Sequence, residues 1–347
     1  MLHNHAANGT APSDANRGVD AIDTSPTLRQ VCLELQAKVD AFLAEDADTK
    51  LLRGLQAQVK EAVGVIDEAL DRYRVGGRLI YEGNKVKNKK KKKKAHKSSH
   101  SVEELSLSYN GGKDCLVLLV LILACLPRHY EETSSVPSSS SPTTTIPSTT
   151  TTTTTNITNA SINKLTAQIP TNTPAPPTPV RPSTPQPFPS TLQSVYIVSP
   201  QPFAEVDDFV DESVAKYHLE LCRYSLPMRA ALEEYLKERP RVKAVFVGTR
   251  RTDPHGASLT HFDQTDKDWP EFMRVHPVID WHYAEIWAFI RHLEIPYLSL
   301  YDQGYTSLGG TKDTHPNPLL KREDEGEGFR PAYELLEDNE ERLGRDR

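Results

Sequence analysis

Apolar positions recur at steps of three and four through Leu52, Leu55, Val59, Val63, Ile66, Leu70 and Tyr73, which predicts an amphipathic helix ended by Gly76-Gly77. Leu105 and Leu107 alternate with polar neighbours as a strand does, and the unbroken run Leu116 to Leu123 follows as a buried helix would. Val195-Tyr196-Ile197-Val198 and Ala244-Val245-Phe246-Val247 read as further strands. The latter is continuously apolar, the pattern of a strand covered on both faces of a parallel sheet. Between them Val210, Val214, Tyr217 and Leu221 mark one helix and Met228 to Leu236 another, while Ile286, Trp287, Ile290 and Leu293 mark a later one. Alternation of strands and helices predicts an α/β fold whose parallel strands are joined by right-handed crossovers. In such sheets ligands sit beyond the carboxyl ends of the strands.

Three stretches carry no such pattern. Residues 1–26 are small and polar and are expected to be disordered. Residues 85–100 hold six consecutive lysines at 89–94, which fit a solvated insertion or a nuclear-localisation or polyanion patch, and nothing nearby supports the patch. From 131 to 191 the composition shifts to Ser, Thr and Pro, with seven threonines at 149–155, and cannot bury enough apolar surface to order itself. The expected organisation is a helical segment over 27–84 and a catalytic domain over 101–347, interrupted by 131–191. One fold can tolerate that interruption, because the entropy of closing a loop grows only logarithmically with its length.

Composition narrows the function. A formal charge of −6 over 347 residues argues against a nucleic-acid binder, whose surface should be basic, and leaves a small-molecule partner. Cys32, Cys115, Cys125 and Cys222 have neither zinc-type spacing nor the density of a disulfide scaffold, which fits a reducing cytoplasm. The first 26 residues lack the apolar core of a secretory signal, and Leu116 to Leu126 is too short to span a bilayer. The expectation is a cytoplasmic monomer with no membrane and no nucleic-acid partner.

The strand at Leu105 opens into the helix at Leu116 through Ser108-Tyr109-Asn110-Gly111-Gly112-Lys113-Asp114-Cys115. Adjacent glycines let the backbone turn tightly and bring its N–H groups close to a ligand, and the helix start adds partial positive charge. An anion suits that place. Lys113 would supply a mobile, exposed ammonium for phosphate, and Ser108 and Asn110 could donate hydrogen bonds. The competing reading is a strand-to-helix joint in which Gly111-Gly112 is only punctuation. Cys115 reads as a small packed residue at a helix start in preference to a nucleophile.

After the apolar strand at 244–247 comes Gly248-Thr249-Arg250-Arg251-Thr252-Asp253-Pro254. Arginines at a strand end suit phosphate, since the planar guanidinium binds two oxygens at once, although such a turn can equally be a surface salt-bridge cluster. Asp253 could accept from a donor-rich ring edge or touch a magnesium ion. Trp269, Arg274 and Trp281 place aromatic surface beside a cation, which fits a planar ring ligand or a closed core. The glycines and prolines of 300–318 suggest an ordered pocket wall.

The loop resembles the Ser-x-Gly-Gly-Lys-Asp pyrophosphate loop of the ATP-pyrophosphatase (PP-loop) superfamily. Its Asn-Gly-Gly-Lys-Asp-Cys form is similar to the eukaryotic, fungal-type FAD synthase (FMN adenylyltransferase) branch, close to the PAPS reductase-like group. Gly248 to Pro254, Trp269-Pro270, Arg274 to Trp281 and Tyr301 to Gly309 resemble the same family in the same order, over roughly residues 50–80, 104–126 and 194–347. The resemblance implies an adenine nucleotide alpha hydrolase-like fold and a nucleotidyltransferase that joins FMN to the AMP of ATP, with Mg2+ held mainly by phosphates. It implies ATP and phosphate binding by Ser108, Asn110, Gly111, Gly112, Lys113, Asp114 and Cys115, with Asp114 a neighbour of the metal. It implies FMN binding by Gly248, Arg250, Arg251, Asp253, Arg274, Trp281, Arg342 and Arg345, and catalysis by Lys113, Asp114, Arg250 and Arg251. Without the resemblance, Arg342 and Arg345 would pass for a solvated helix end. The alternatives are a PAPS reductase-like, thiol-dependent reductase, whose C-terminal cysteine has no counterpart after Cys222, and a non-catalytic nucleotide- or flavin-binding module.

Overall fold

A computed structural model of the chain describes residues 25–73, 103–130, 187–322 and 328–346. The expectations for residues 1–24, for the Lys-rich segment 85–100 and for 131–186 of the Ser/Thr/Pro-rich stretch therefore lie outside the described residues.

Among the described residues the sheet has six strands: β1 (Leu105–Ser108), β2 (Leu192–Ile197), β3 (Leu219–Tyr224), β4 (Ala244–Phe246), β5 (Phe262–Gln264) and β6 (Met273–Val275), in the spatial order β3-β2-β1-β4-β6-β5. All neighbours run parallel except β5, which lies antiparallel on β6 at the edge. From β1 the chain winds outward to β2 and β3, then returns to lay β4 on the other side of β1, with Leu107 opposite both Ser194 and Phe246. The order reverses between β1 and β4. In open α/β sheets such a reversal, beyond the carboxyl ends of the strands, is where a ligand crevice forms.

Helices cover both faces. The run that read as buried is α3 (Lys113–Cys125), with every residue from Cys115 to Cys125 buried. It is apolar all round because α1 (Leu28–Ala44) and α2 (Lys50–Tyr73) pack over it, and α6 (Tyr283–His292) joins the same layer. Thr27 and Gln30 form a capping box that starts α1. Against the other face, α5 (Met228–Glu238) sets Leu232 and Tyr235 into a second core with Val195, Val245 and Phe272. Among the described residues no helix is long and apolar enough to cross a membrane.

One element departs from the pattern reading. Leu221 belongs to β3, because α4 (Ala204–Tyr217) stops at His218, whose left-handed φ of 51° turns the chain straight into the strand. The helical spacing from Tyr217 to Leu221 was coincidental. The short strands β5 and β6 are three residues each, too few to show a period of two.

His276, just beyond β6, is 1 % exposed, and burial pushes its imidazole from the ordinary 6.5 down to about 4. The unfolded chain takes up a proton that the folded chain refuses. Stability is therefore fully present above pH 6.5 and is lost as the pH falls toward 4, by up to about 3 kcal/mol from this group. Urea unfolding at pH 7 and pH 4.5 should show that loss reduced in His276→Leu, and equal slopes in the two proteins would count against it.

Candidate active site

The loop between β1 and α3 lies at the point where the strand order reverses. Gly111 has φ +75°, and a Cβ there would stand 3.0 Å from Val210 Cγ2, so both its conformation and its surroundings ask for glycine. The Asn110 Oδ1 accepts from the Gly112 amide at 3.0 Å and from the Cys115 thiol at 2.8 Å, which closes the turn. The Lys113 amide donates to the Tyr301 hydroxyl at 2.9 Å. Facing the helix start, Gly248 leaves β4 so closely that a Cβ would lie 3.0 Å from the Cys115 nitrogen and 3.1 Å from its Cα. The space above is a cavity of about 360 Å³ whose wall includes Ser108, Asn110, Gly112, Gly248, Asp253 and Arg342.

Its floor is a buried ion network. Lys113 is 2 % exposed, correcting the expectation of a mobile, exposed ammonium. Its Nζ lies 3.1 Å from Asp114 Oδ2, pairs with Glu341 Oε1 and sits 5.1 Å from the centre of the Tyr283 ring. Arg250 is fully buried. Its Nε lies 2.8 Å from Asp114 Oδ1, one terminal nitrogen pairs with Glu341 Oε2 and the other lies 3.4 Å from Asp338 Oδ1. Asp253 Oδ2 accepts from the Arg250 amide at 2.8 Å. Burial alone would lower the Lys113 and Arg250 pKa values, but the Asp114 and Glu341 carboxylates outweigh it and hold both above their ordinary values. Burial likewise pushes Asp114 up, and Lys113 and Arg250 outweigh that to leave it below the ordinary carboxylate value. Lys113, Arg250 and Asp114 therefore stay charged at neutral pH. Burial pushes the Cys115 thiol up to about 12, which suits a packed residue and not a thiolate.

The other expected residues fall in different places. Ser108, Asn110, Gly112, Lys113, Asp114, Cys115, Gly248, Asp253 and Arg342 line the cavity, while Gly111 shapes the turn behind it. Arg250 lies below the cavity, in the ion network. Arg251 points the other way, its Nε donating to Asp280 Oδ1 at 2.5 Å and its Nη1 to the Ala257 and Leu259 carbonyls. Asp280 also belongs to a cluster with Glu61 and His261, in which Arg251 already balances its charge. Arg274 lies along the β5 edge, donating to the Gln264 carbonyl at 3.1 Å. Trp281 is 1 % exposed, edge-on to Phe289 at 5.6 Å. Arg345 runs along Gly309, which lines the cavity, and donates to the Asp313 carbonyl at 3.2 Å.

A probable FAD synthase of Schizosaccharomyces pombe is 36% identical over 247 residues, 71% of this chain and 73% of that protein. The chain belongs to the FAD synthase family. The flavin adenine dinucleotide synthase of Saccharomyces cerevisiae is 29% identical over 240 residues, 67% of this chain and 65% of that protein. A probable FAD synthase of Caenorhabditis elegans matches 90% of this chain at 28% identity, and the chain spans 45% of that longer relative. The family pattern of the phosphoadenosine phosphosulfate reductase domain matches residues 225–316. Candida glabrata FMN adenylyltransferase, crystallised with FAD and inorganic pyrophosphate, superposes with a TM-score of 0.67 at 22% identity, covering 94% of this chain and 99% of the other. That likeness establishes the fold, the α/β PP-loop arrangement expected of an FAD synthase.

Tyr301, Asp338 and Glu341 are the residues that sequence reasoning did not single out for the site. Tyr301 stood within the run that marked the pocket wall, and Glu341 immediately precedes Arg342, but neither announces its partner. Those partners lie 188 and 228 positions away along the chain.

Proposed function

We infer that the chain transfers the AMP of ATP to the phosphate of FMN, giving FAD and pyrophosphate. The observation that carries this reading is the glycine-lined loop at the strand-order reversal, opening on the cavity that Gly248 and Asp253 complete from β4. Membership of the FAD synthase family supports the same substrates.

An oxygen of the FMN phosphate attacks the α-phosphorus of ATP, and the bond from that phosphorus to the bridging oxygen of pyrophosphate breaks. A phosphate monoester is already largely ionised near pH 7, so the nucleophile needs no general base. Catalysis then rests on positioning and on charge. The hydroxyl of Ser108 and the guanidinium of Arg342, set around the turn that Gly111 and Gly112 shape, would hold the departing pyrophosphate, with Arg345 behind them. Gly248 and Asp253 would border the flavin side. Lys113 and Arg250 act from below, where they fix Asp114 and the loop.

The donor set suits magnesium. Asp114 and Asp253 offer hard oxygen ligands on the cavity wall, with Asp114 Oδ1 already 2.8 Å from the Arg250 Nε. These carboxylates would hold the ion that accompanies ATP, and its charge would offset that of the phosphates. The reading is of a cytoplasmic monomer acting on small molecules, the mild net charge of −6 arguing against a nucleic-acid partner.

Incubating the purified chain with MgATP and FMN tests the reading. FAD and pyrophosphate in equal amounts are expected. Sulfite released from PAPS in the presence of thiol would favour the reductase, and ligand binding without product would favour the non-catalytic module.

A further inference from the structure

Glu341 is 5 % exposed although it lies in the last turns of the chain, and it gives one carboxylate oxygen to Lys113 and the other to Arg250. Burying a carboxylate is costly unless cations and hydrogen bonds compensate it. Here the compensating cations come from the phosphate loop and from the segment after β4, the two walls of the cavity. The segment around Glu341 already has its own attachments. The buried Thr306 hydroxyl donates to the Glu341 carbonyl at 2.6 Å, the buried Asn317 amide to the Glu340 carbonyl at 2.8 Å, and the His315 amide to the Gly344 carbonyl at 2.8 Å. Those contacts tie it to residues 306–317. The Glu341 carboxylate ties it to the loop itself. The very next residue, Arg342, lines the cavity and reaches Ser307 Oγ at 3.5 Å. Neighbouring positions thus point one side chain into the floor and the other to the rim.

We propose that Glu341 is a positioning residue: its carboxylate, held between Lys113 and Arg250, fixes the distance between the phosphate loop and Arg342, so that Arg342 meets the nucleotide's phosphates. The proposal rests on the adenylyl-transfer reading given above. It assigns the buried cations a task distinct from touching phosphate, since their charge is already engaged by Glu341.

The full chain is compared with Glu341→Gln, Arg342→Ala and the double variant, following kcat, the KM for ATP and the calorimetric affinity for the ATP analogue AMPCPP. Glu341→Gln keeps the shape and removes the charge. It should weaken analogue binding about tenfold or more, the size of one charge-assisted contact, and raise the KM for ATP more than it lowers kcat. Arg342→Ala should do the same. The double variant should lose little beyond either single change, because Glu341 acts through Arg342. Losses that multiply, or analogue binding in Glu341→Gln equal to that of the unaltered chain, would overturn the proposal. Should Glu341→Gln fail to fold, Glu341→Asp, which keeps the charge on a shorter stem, takes its place in the same cycle with the same criteria. If the unaltered chain binds the analogue and makes no FAD, the assignment of activity fails, while the cycle on analogue affinity still decides the role of Glu341.

Discussion

Arg250→Met is expected to destabilise the chain by about 3–5 kcal/mol, the cost of leaving buried carboxylates without their cation. The guanidinium is fully buried, and Asp114, Asp253, Asp338 and Glu341 all converge on it. Methionine keeps much of the stem's volume, so packing changes little and the charge is what is lost. Against the usual total of about 5–15 kcal/mol, the variant should be marginal at 37 °C. Urea unfolding followed by circular dichroism measures the effect. The bound carboxylates do not become free to serve as new ligands; they repel one another, and FAD formation should fall with the folded fraction. Arg251→Met, one position away, is the control. Its guanidinium is 42 % exposed and pairs with Asp280 at the surface, where such a pair contributes about 0–1 kcal/mol. Equal losses from the two variants would sink the assignment of Arg250 as the hub.

Those neighbouring arginines show where sequence reading succeeds and where it stops. The loop from Ser108 to Cys115 was legible because its signal is local: an alternating strand, two glycines and a solidly apolar helix stand within twenty-one residues, Leu105 to Cys125. The continuously apolar β4 was legible for the same reason, and a cavity does open where β1 and β4 end. Which arginine of the pair turns inward was not legible. Both have the same chemistry, and the choice is made by carboxylates 88 and 91 positions later in the chain. Strand β3 was hidden by a helical spacing that His218 cuts short. Arg274 and Trp281 carried the right chemistry for a ring ligand, yet the sheet edge and the core claim their side chains. For the arginine pair the deciding partners lie far along the chain, outside any local window.

The direction of the Lys113 side chain was misjudged for the same reason, and its substitution gives the second large effect. An exposed loop ammonium gripping phosphate could be removed without harm to the fold. In the structure the ammonium is buried between Asp114 and Glu341 and beneath the face of Tyr283, so Lys113→Met should lower stability and activity together. The cost is smaller than at Arg250, about 1–3 kcal/mol, because Arg250 still partners both carboxylates. Activity should fall further than stability explains. The Lys113 amide is the start of α3, held by Tyr301, and its side chain holds Glu341 at the other side of the cavity, so a displaced loop costs about a hundredfold in kcat/KM at a shift of roughly 1 Å. Lys113→Arg should not restore the unaltered chain, since a second guanidinium beside Arg250 needs room that the buried site lacks. Thermal unfolding measured alongside steady-state FAD formation separates the two pictures: activity lost at an unchanged melting temperature would mean that the ammonium meets phosphate directly, and a joint fall means that it works from beneath the loop.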